Sequence, residues 1–442
     1  MRNVAFITLG CPKNEADTAH MRTLVAPVAV VVDELDDADV AVINTCGFIT
    51  SAIEESLECI FDVARDWLNV RAGRHLIVTG CLASRYGDEL AKELPEVSVF
   101  LGVADEGLLI DRLRELDDSS DDISDVDRQD VGSVKGQVQR KAQGPSEYVK
   151  IADGCDKHCS YCTIPAIRGR YRSRPLEEIV AEVEGLLASG AREIVLIAQD
   201  TSRYGVDLPG DQSLVLLVDT LVTLPRLEWL RLMYIQPEGM TDDLLDCIAR
   251  NEKVCRYFEM PLQHASSRIL QMMGRQGDTQ SFLARIALIR QRFPDAVLRT
   301  TVIAGYPSES ESEHEELVQF LRAARFDYVG VFPYSVEEGT VAAEQDGQVR
   351  EDERVRRANV LRAVADEIGV ERTERWVGCT LDTLICGYDD EGILYGRFSG
   401  QAPDIDGIIL LPKTGRSIES GMIVPVRIDD SYLFDLEGTP AP

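Results

Sequence analysis

The sequence predicts an α/β chain in three parts. These are an amino-terminal parallel α/β sheet domain, a central partial (β/α)6 barrel and a small antiparallel β-barrel at the carboxy end. Three observations carry this. Short β-rich runs alternate with helical stretches over residues 1 to about 110, and again from Tyr148. Such alternation means parallel strands joined by crossover helices. Between the two blocks lies "DDSSDDISDVDRQD", which is acidic, Ser-rich and without periodicity, and reads as a linker. From about Arg375 the pattern turns to short alternating strands broken by glycines, as in a small β-barrel. The 442 residues exceed one ordinary core. The expected domains are 1–116, a linker at 117–144, a core at 145–371 and a terminal barrel at 372–440.

In the first block strands are expected at 4–9, 40–44 and 76–79, with helices at 15–24, 49–68 and 86–94. In the second block the strands are 148–151, 193–197, 229–233, 257–260, 297–302 and 328–332. Helices fall between them, for example at 176–189, 214–224, 280–293 and 311–325, and a long charged helix spans about 351–373. Six such units are too few for the full eight-unit barrel, so a lateral opening is expected.

Apolar residues make up 45% of the chain, which is therefore globular, and the net charge is −30. A body this acidic repels phosphates and is a poor general binder of nucleic acid. It suits a basic protein partner, or the acidity serves only solubility. The opening "MRNVAFITLG" has too short an apolar run for a signal peptide, and no run approaches a membrane span. A cytoplasmic location without membrane partners is expected. There, thiols stay reduced and cysteine clusters mean metal or catalysis.

Cys155, Cys159 and Cys162 form a C-x3-C-x2-C run within "KIADGCDKHCSYCTIP". Three thiolates on one short loop can hold three corners of a cubic iron–sulfur cluster and leave the fourth iron open. The alternative is a zinc knuckle. That needs a fourth donor, His158 is the one nearby, and no partner C-x2-C pair follows. Cys11, Cys46 and Cys81 each come just after an expected strand, in "VAFITLGC", "VAVINTC" and "HLIVTGC". Parallel strands end along one edge, where ligand sites form, so these three thiols can also converge. The alternative is three separate buried cysteines. Cys59, Cys247, Cys255, Cys379 and Cys386 read as core or surface thiols.

These residues resemble a known family. C-x3-C-x2-C at the start of a partial barrel is similar to the radical S-adenosylmethionine enzymes. "GCPKNEAD", "NTCGFI" and "TGC" resemble the amino-terminal domain of methylthiotransferases, and the terminal barrel resembles the TRAM module of the same enzymes. One branch of the family modifies adenosine in transfer RNA. The other modifies an aspartate of small-subunit ribosomal protein number twelve. "GCPKN", "AQDTSRYG", "MPLQHAS", "YSVEEGT" and "GQAPDIDGIILL" look like the ribosomal-protein branch, while "VIAGYPSES" departs from the more usual "GFPGET". Between Arg372 and Glu437 there are six basic and twelve acidic residues. A barrel of that charge repels RNA and attracts a basic protein.

The resemblance implies two 4Fe–4S clusters, one on Cys155, Cys159 and Cys162 and one on Cys11, Cys46 and Cys81, together with S-adenosyl-L-methionine. It implies a methylthio group added to the β-carbon of the substrate aspartate, a flavodoxin- or ferredoxin-like reductant, and the ribosome as a further partner. It places Tyr161 near the adenine, against simple loop packing. It places Gln199 and Asp200 near the cofactor's amino group, against capping of the next turn. Gln263 and His264 end a barrel strand, where functional residues gather, though His264 also suits a structural role. Arg168, Arg170, Arg172 and Arg174 either meet acid groups of a partner or form a solvated loop. The competing readings are a transfer-RNA adenosine methylthiotransferase and a non-catalytic metal-binding RNA adaptor.

Overall fold

The computed structural model describes residues 1–117, 140–412 and 417–441, so most of the expected linker at 117–144 lies outside the described residues. The chain forms two compact units. One is Met1–Lys141 with Gly154–Asp156 and Cys162–Arg170, and the other is Ala142–Asp153, Lys157–Tyr161 and Tyr171–Pro442.

The first unit runs β1 (Asn3–Thr8), α1 (Pro12–Val25), β2 (Val30–Val32), β3 (Val40–Thr45), α2 (Thr50–Asp66), β4 (His75–Gly80), α3 (Cys81–Glu93), β5 (Val99–Gly102) and α4 (Leu109–Asp117). Its sheet is wholly parallel in the order β2-β1-β3-β4-β5. β3 is buried at all six positions, the polar Asn44 and Thr45 included, because a central parallel strand is covered on both faces. Ile43, Ile60, Leu76 and Val78 pack on one face, and Val4, Met21, Val42 and Ile77 on the other. The short strands β2 and β5 and the helix α4 were not expected from sequence. Three or four residues carry too little periodicity to read. β2 matters, because it puts the reversal of strand order at the β1/β3 boundary. Open parallel sheets bind ligands at such a boundary.

The second unit continues with β6 (Ser146–Lys150) and β7 (Ala152–Asp153). The segment of α5 (Ile164–Arg168) belongs to the first unit. β8 (Arg172–Ser173) pairs antiparallel with β7. Then come α6 (Leu176–Ser189), β9 (Glu193–Ile197), α7 (Leu214–Leu221), β10 (Trp229–Leu232), α8 (Asp242–Arg250), β11 (Tyr257–Gln263), α9 (Ser267–Met272), α10 (Thr279–Arg292), β12 (Val297–Ala304), α11 (Glu311–Ala324), β13 (Tyr328–Pro333) and α12 (Glu351–Glu374). Six parallel strands form two ladders, β10-β9-β6 and β11-β12-β13, joined by a parallel bridge between Leu230 and Val254. Among the described residues no ladder joins β6 to β13, so the barrel is a partial one. The expected boundary after residue 371 falls inside α12.

The terminal barrel is β14 (Thr380–Tyr388), β15 (Leu394–Phe398), β16 (Ile409–Leu411), β17 (Ile423–Tyr432) and β18 (Asp435–Pro440), closed in the order β14-β15-β16-β18-β17. All its pairings are antiparallel except β16 with β18. It packs under the amino-terminal ends of the core strands. Arg397 reaches Glu193 at 2.6 Å, Tyr148 donates to Asp404 at 2.9 Å, and Asp406 accepts from Tyr257 at 2.8 Å and Arg299 at 2.6 Å. In a barrel of this type that end serves stability, and the opposite end carries chemistry. Among the described residues no helix is long and apolar enough to cross a membrane.

Candidate functional site

The three early cysteines converge in the first unit. Cys11 caps the start of α1, Cys46 follows β3, and Cys81 opens α3. All three follow strands of one parallel sheet, and two stand at helix starts. Gly10 has φ +96°, and a Cβ there would lie 2.7 Å from the Cys46 Cβ. A Cβ on Gly47 would lie 2.8 Å from the Cys81 backbone. Only glycine lets the loops come this close. The thiols also sense one another. Burial pushes the Cys46 thiol up to about 12; the Phe48 backbone opposes this, Cys11 and Cys81 add to it, and Arg168 opposes it. Burial also raises Cys81, again against the pull of Arg168.

The loops are braced by residues whose role was not read from sequence. Asn14 is fully buried, and its Nδ2 donates to the Leu9 carbonyl at 2.7 Å and the Thr45 carbonyl at 3.0 Å. It thereby ties the end of β1 to the end of β3. Ser56 of α2 clamps Cys46 from both sides: its Oγ accepts from the Cys46 N–H at 3.1 Å and donates to the Cys46 carbonyl at 3.0 Å. The available signal was the helical spacing Cys11, Asn14, Asp17, which places the three along one face of α1.

Of the four arginines after the third loop cysteine, Arg168 is neither solvated nor free for a partner. Its side chain is 2% exposed and pairs with Asp17 at 3.0 Å. It also donates to Asn14 Oδ1 at 3.1 Å and lies 3.5 Å from the Cys81 Sγ. Arg174 is engaged by Glu182 at 2.7 Å, while Arg170 and Arg172 are exposed.

Cys155, Cys159 and Cys162 are all partly exposed, and among the described residues no cysteine forms a disulfide. Within the first unit the Cys155 N–H donates to the Gly169 carbonyl at 3.1 Å. Within the second unit Ser160 anchors the loop: its N–H donates to the Met273 carbonyl at 3.0 Å and its Oγ is hydrogen-bonded to the Tyr306 hydroxyl at 2.7 Å. Arg275 donates to the Pro261 carbonyl at 2.7 Å and is close enough to Cys159 to feel its charge. Burial works against the charge on Arg275, and Tyr161 and Cys159 outweigh it, so its pKa is raised. Its neighbourhood "GRQG" carried no readable signal.

Tyr161 packs against the cluster of Ile269, Met273, Tyr306 and Tyr334. Gln199 donates to Asp153 at 3.2 Å, and its Oε1 is buried without a partner. Asp200 is 1% exposed, accepts from Ser202 at 2.5 Å, and has Lys157 3.4 Å away. Gln263 ends β11 at φ +74°, just past a shift in register, a sparsely populated conformation for a non-glycine residue. His264 is structural: fully buried, it accepts from the Ser266 N–H at 3.0 Å through Nδ1 and faces Glu309 at 3.6 Å through Nε2. Burial works against the Glu309 carboxylate, but His264, Arg357 and the Gly305 N–H hold it below its usual range.

Among the described residues no three His, Cys, Asp or Glu side chains close round a single metal ion. A cubic cluster asks for less, because each thiolate binds its own corner iron. Three thiols at one sheet edge, with glycine-lined backbone around them, fit such a group.

Three family models match: the Radical SAM superfamily over residues 149–321, the Uncharacterized protein family UPF0004 over 3–102, and the TRAM domain over 377–440. The ribosomal protein uS12 methylthiotransferase RimO of Desulfitobacterium hafniense (strain Y51) is 39% identical over 99% of this chain and 98% of its own length. The protein of that name from Geobacter sulfurreducens is 40% identical over 98% of each. Among solved structures, the radical S-adenosylmethionine methyltransferase TsrM from Kitasatospora setae shares the fold, with a TM-score of 0.54 at 15% identity over 90% of this chain and 84% of that one. Two cysteine triads on these folds, with relatedness along the whole chain, mean that the chain belongs to the ribosomal protein uS12 methylthiotransferase RimO family of the radical S-adenosylmethionine superfamily.

Proposed function

We propose that this chain adds a methylthio group to the β-carbon of an aspartate in ribosomal protein uS12. In this reading Cys155, Cys159 and Cys162 hold one 4Fe–4S cluster, and Cys11, Cys46 and Cys81 hold a second. When bound, the clusters and S-adenosyl-L-methionine supply reductive cleavage to a carbon-centred radical, with methyl and sulfur donation. The observation that carries the reading is the second triad. One open cluster serves radical generation, and a converged second triad at the edge of a parallel sheet has no use in that step.

The chain's own residues bind and orient. Six thiolates hold the metal groups. Ser160 and Tyr306 fix the first cysteine loop, and Asn14 and Ser56 fix the second set. Lys157 stands between Asp200 and Glu238 and balances their charge. Tyr161, Gln199, Asp200 and Gln263 are proposed to contact S-adenosyl-L-methionine, and the buried Gln199 Oε1 has an acceptor to offer its ammonium. The acidic terminal barrel supports a basic protein substrate over RNA. A flavodoxin- or ferredoxin-like reductant, the ribosome and a cytoplasmic setting complete the proposal.

The test is anaerobic reconstitution followed by mass spectrometry of uS12 and of transfer RNA. The expected result is a methylthio mass gain on uS12 alone. A gain on transfer RNA alone overturns the substrate assignment. About one zinc and no iron uptake overturns the enzyme reading.

A further inference from the structure

Arg168 lies six residues after Cys162, at the end of the short helix α5. The whole segment Cys162–Arg170 packs within the first unit. Two of its side chains rest on the loops that carry the other triad. Thr163 Oγ1 donates to the Phe48 carbonyl at 3.4 Å, two residues past Cys46. The Arg168 guanidinium lies 3.5 Å from the Cys81 Sγ, where an N–H donates to the sulfur, and it is also held by Asp17 at 3.0 Å and Asn14 at 3.1 Å. Its side chain is 2% exposed and that of Asp17 is 2% exposed.

Such a burial is costly. A buried ion pair roughly offsets its own desolvation and adds little to stability. Fixing the position of a helix end would be met at lower cost by an apolar side chain. The guanidinium instead brings a positive charge and a donor to the sulfur atom that is proposed to ligate iron. Hydrogen bonds to sulfur and local net charge set the potential of an iron–sulfur cluster. A reduced cluster carries one more negative charge than an oxidised one. A fixed cation beside it therefore favours reduction, and water-poor surroundings strengthen the effect.

We propose that Arg168 is a positioning residue of the second triad: through its contact with Cys81, buttressed by Asp17 and Asn14, it raises the reduction potential of the cluster held there. The inference rests on the reading that Cys11, Cys46 and Cys81 hold a cluster. It also gives a physical link between the two triads. The segment that leaves Cys162 ends on the sulfur of Cys81.

The test uses the full chain with Cys155→Ala, Cys159→Ala and Cys162→Ala, in which the second cluster is the sole iron centre. Its midpoint potential is followed by EPR during a redox titration. In this background Arg168→Gln is expected to keep its iron and shift the potential downward. Arg168→Lys restores the charge and is expected to recover most of that shift. Asp17→Asn removes the opposing negative charge and is expected to shift it upward. An iron-loaded Arg168→Gln with unchanged potential overturns the proposal, since a purely structural role would leave the potential alone. Where Arg168→Gln fails to load, Asp17→Asn decides: no upward shift, or loss of iron there too, overturns it. Absence of any cluster from the parent triple variant defeats the second-cluster reading itself, a separate result.

Discussion

Single side chains do different work at the two triads, and substitutions can separate them. Cys159→Ala removes a proposed ligand of the first cluster, so cleavage of S-adenosyl-L-methionine is expected to cease, as read by release of 5′-deoxyadenosine. Cys46→Ala is expected to retain some cleavage, to form no methylthio product, and to lower iron from about eight to about four per chain. Full product from Cys46→Ala would refute the role of the second triad. Ser56 bonds both backbone groups of Cys46. Ser56→Ala leaves a buried donor and acceptor without that partner and is expected to cost about 1–3 kcal/mol in chemical denaturation. Iron retention should fall with it, because the loop that presents Cys46 loses its brace.

At the scale of elements, the β1-to-α1 turn is a tight constraint on the site. Gly10 combines φ +96° with a Cβ direction that ends 2.7 Å from the Cys46 Cβ. Gly10→Ala is therefore strained twice, in backbone and in space, and is expected to cost more than about 1 kcal/mol. The four-iron content of the second triad should be lost while the circular dichroism of the chain stays close to that of the parent. Retention of all iron would show that the loop can relax. The partial barrel follows the same logic on a larger scale. Its strands begin over the terminal barrel and end near Asp200 and Gln263, the residues proposed to meet the cofactor, at the end where barrels of this type carry chemistry.

At the scale of the whole chain, electrostatics ties the terminal barrel to the core. Glu193 is fully buried between Arg231 at 2.8 Å and Arg397 at 2.6 Å. Burial works against the Glu193 carboxylate, and Arg397 and Arg231 outweigh it, so its pKa lies well below the usual range. A depressed carboxyl contributes stability above the unfolded-state value, and that contribution is lost as pH falls below about 4. Glu193→Gln leaves two buried cations unbalanced and is expected to cost about 3–5 kcal/mol, read by urea unfolding at neutral pH. The difference from the parent should shrink toward acid pH. The net charge of −30 acts further out. Association with basic uS12 should slow as salt rises, because the attraction is screened beyond a Debye length of about 8 Å at physiological ionic strength. A salt-independent association rate would exclude steering by charge.

The sequence by itself determined the class of fold, and it offered six cysteines in two groups of three as candidate ligands. Strand-end placement repeats three times in the first unit, and C-x3-C-x2-C is local, so both signals survive without coordinates. Tertiary structure alone decided how the triad of Cys11, Cys46 and Cys81 is supported. Asn14, Ser56 and Arg168 reach it from different elements, and Arg168 comes from more than eighty residues beyond Cys81. It likewise decided that Arg168 is buried while Arg170 is solvated, and that His264 is a structural partner of Glu309. The reason is physical. Backbone periodicity is written in neighbouring residues, whereas burial and charge pairing depend on which distant segments the fold brings within a few ångströms.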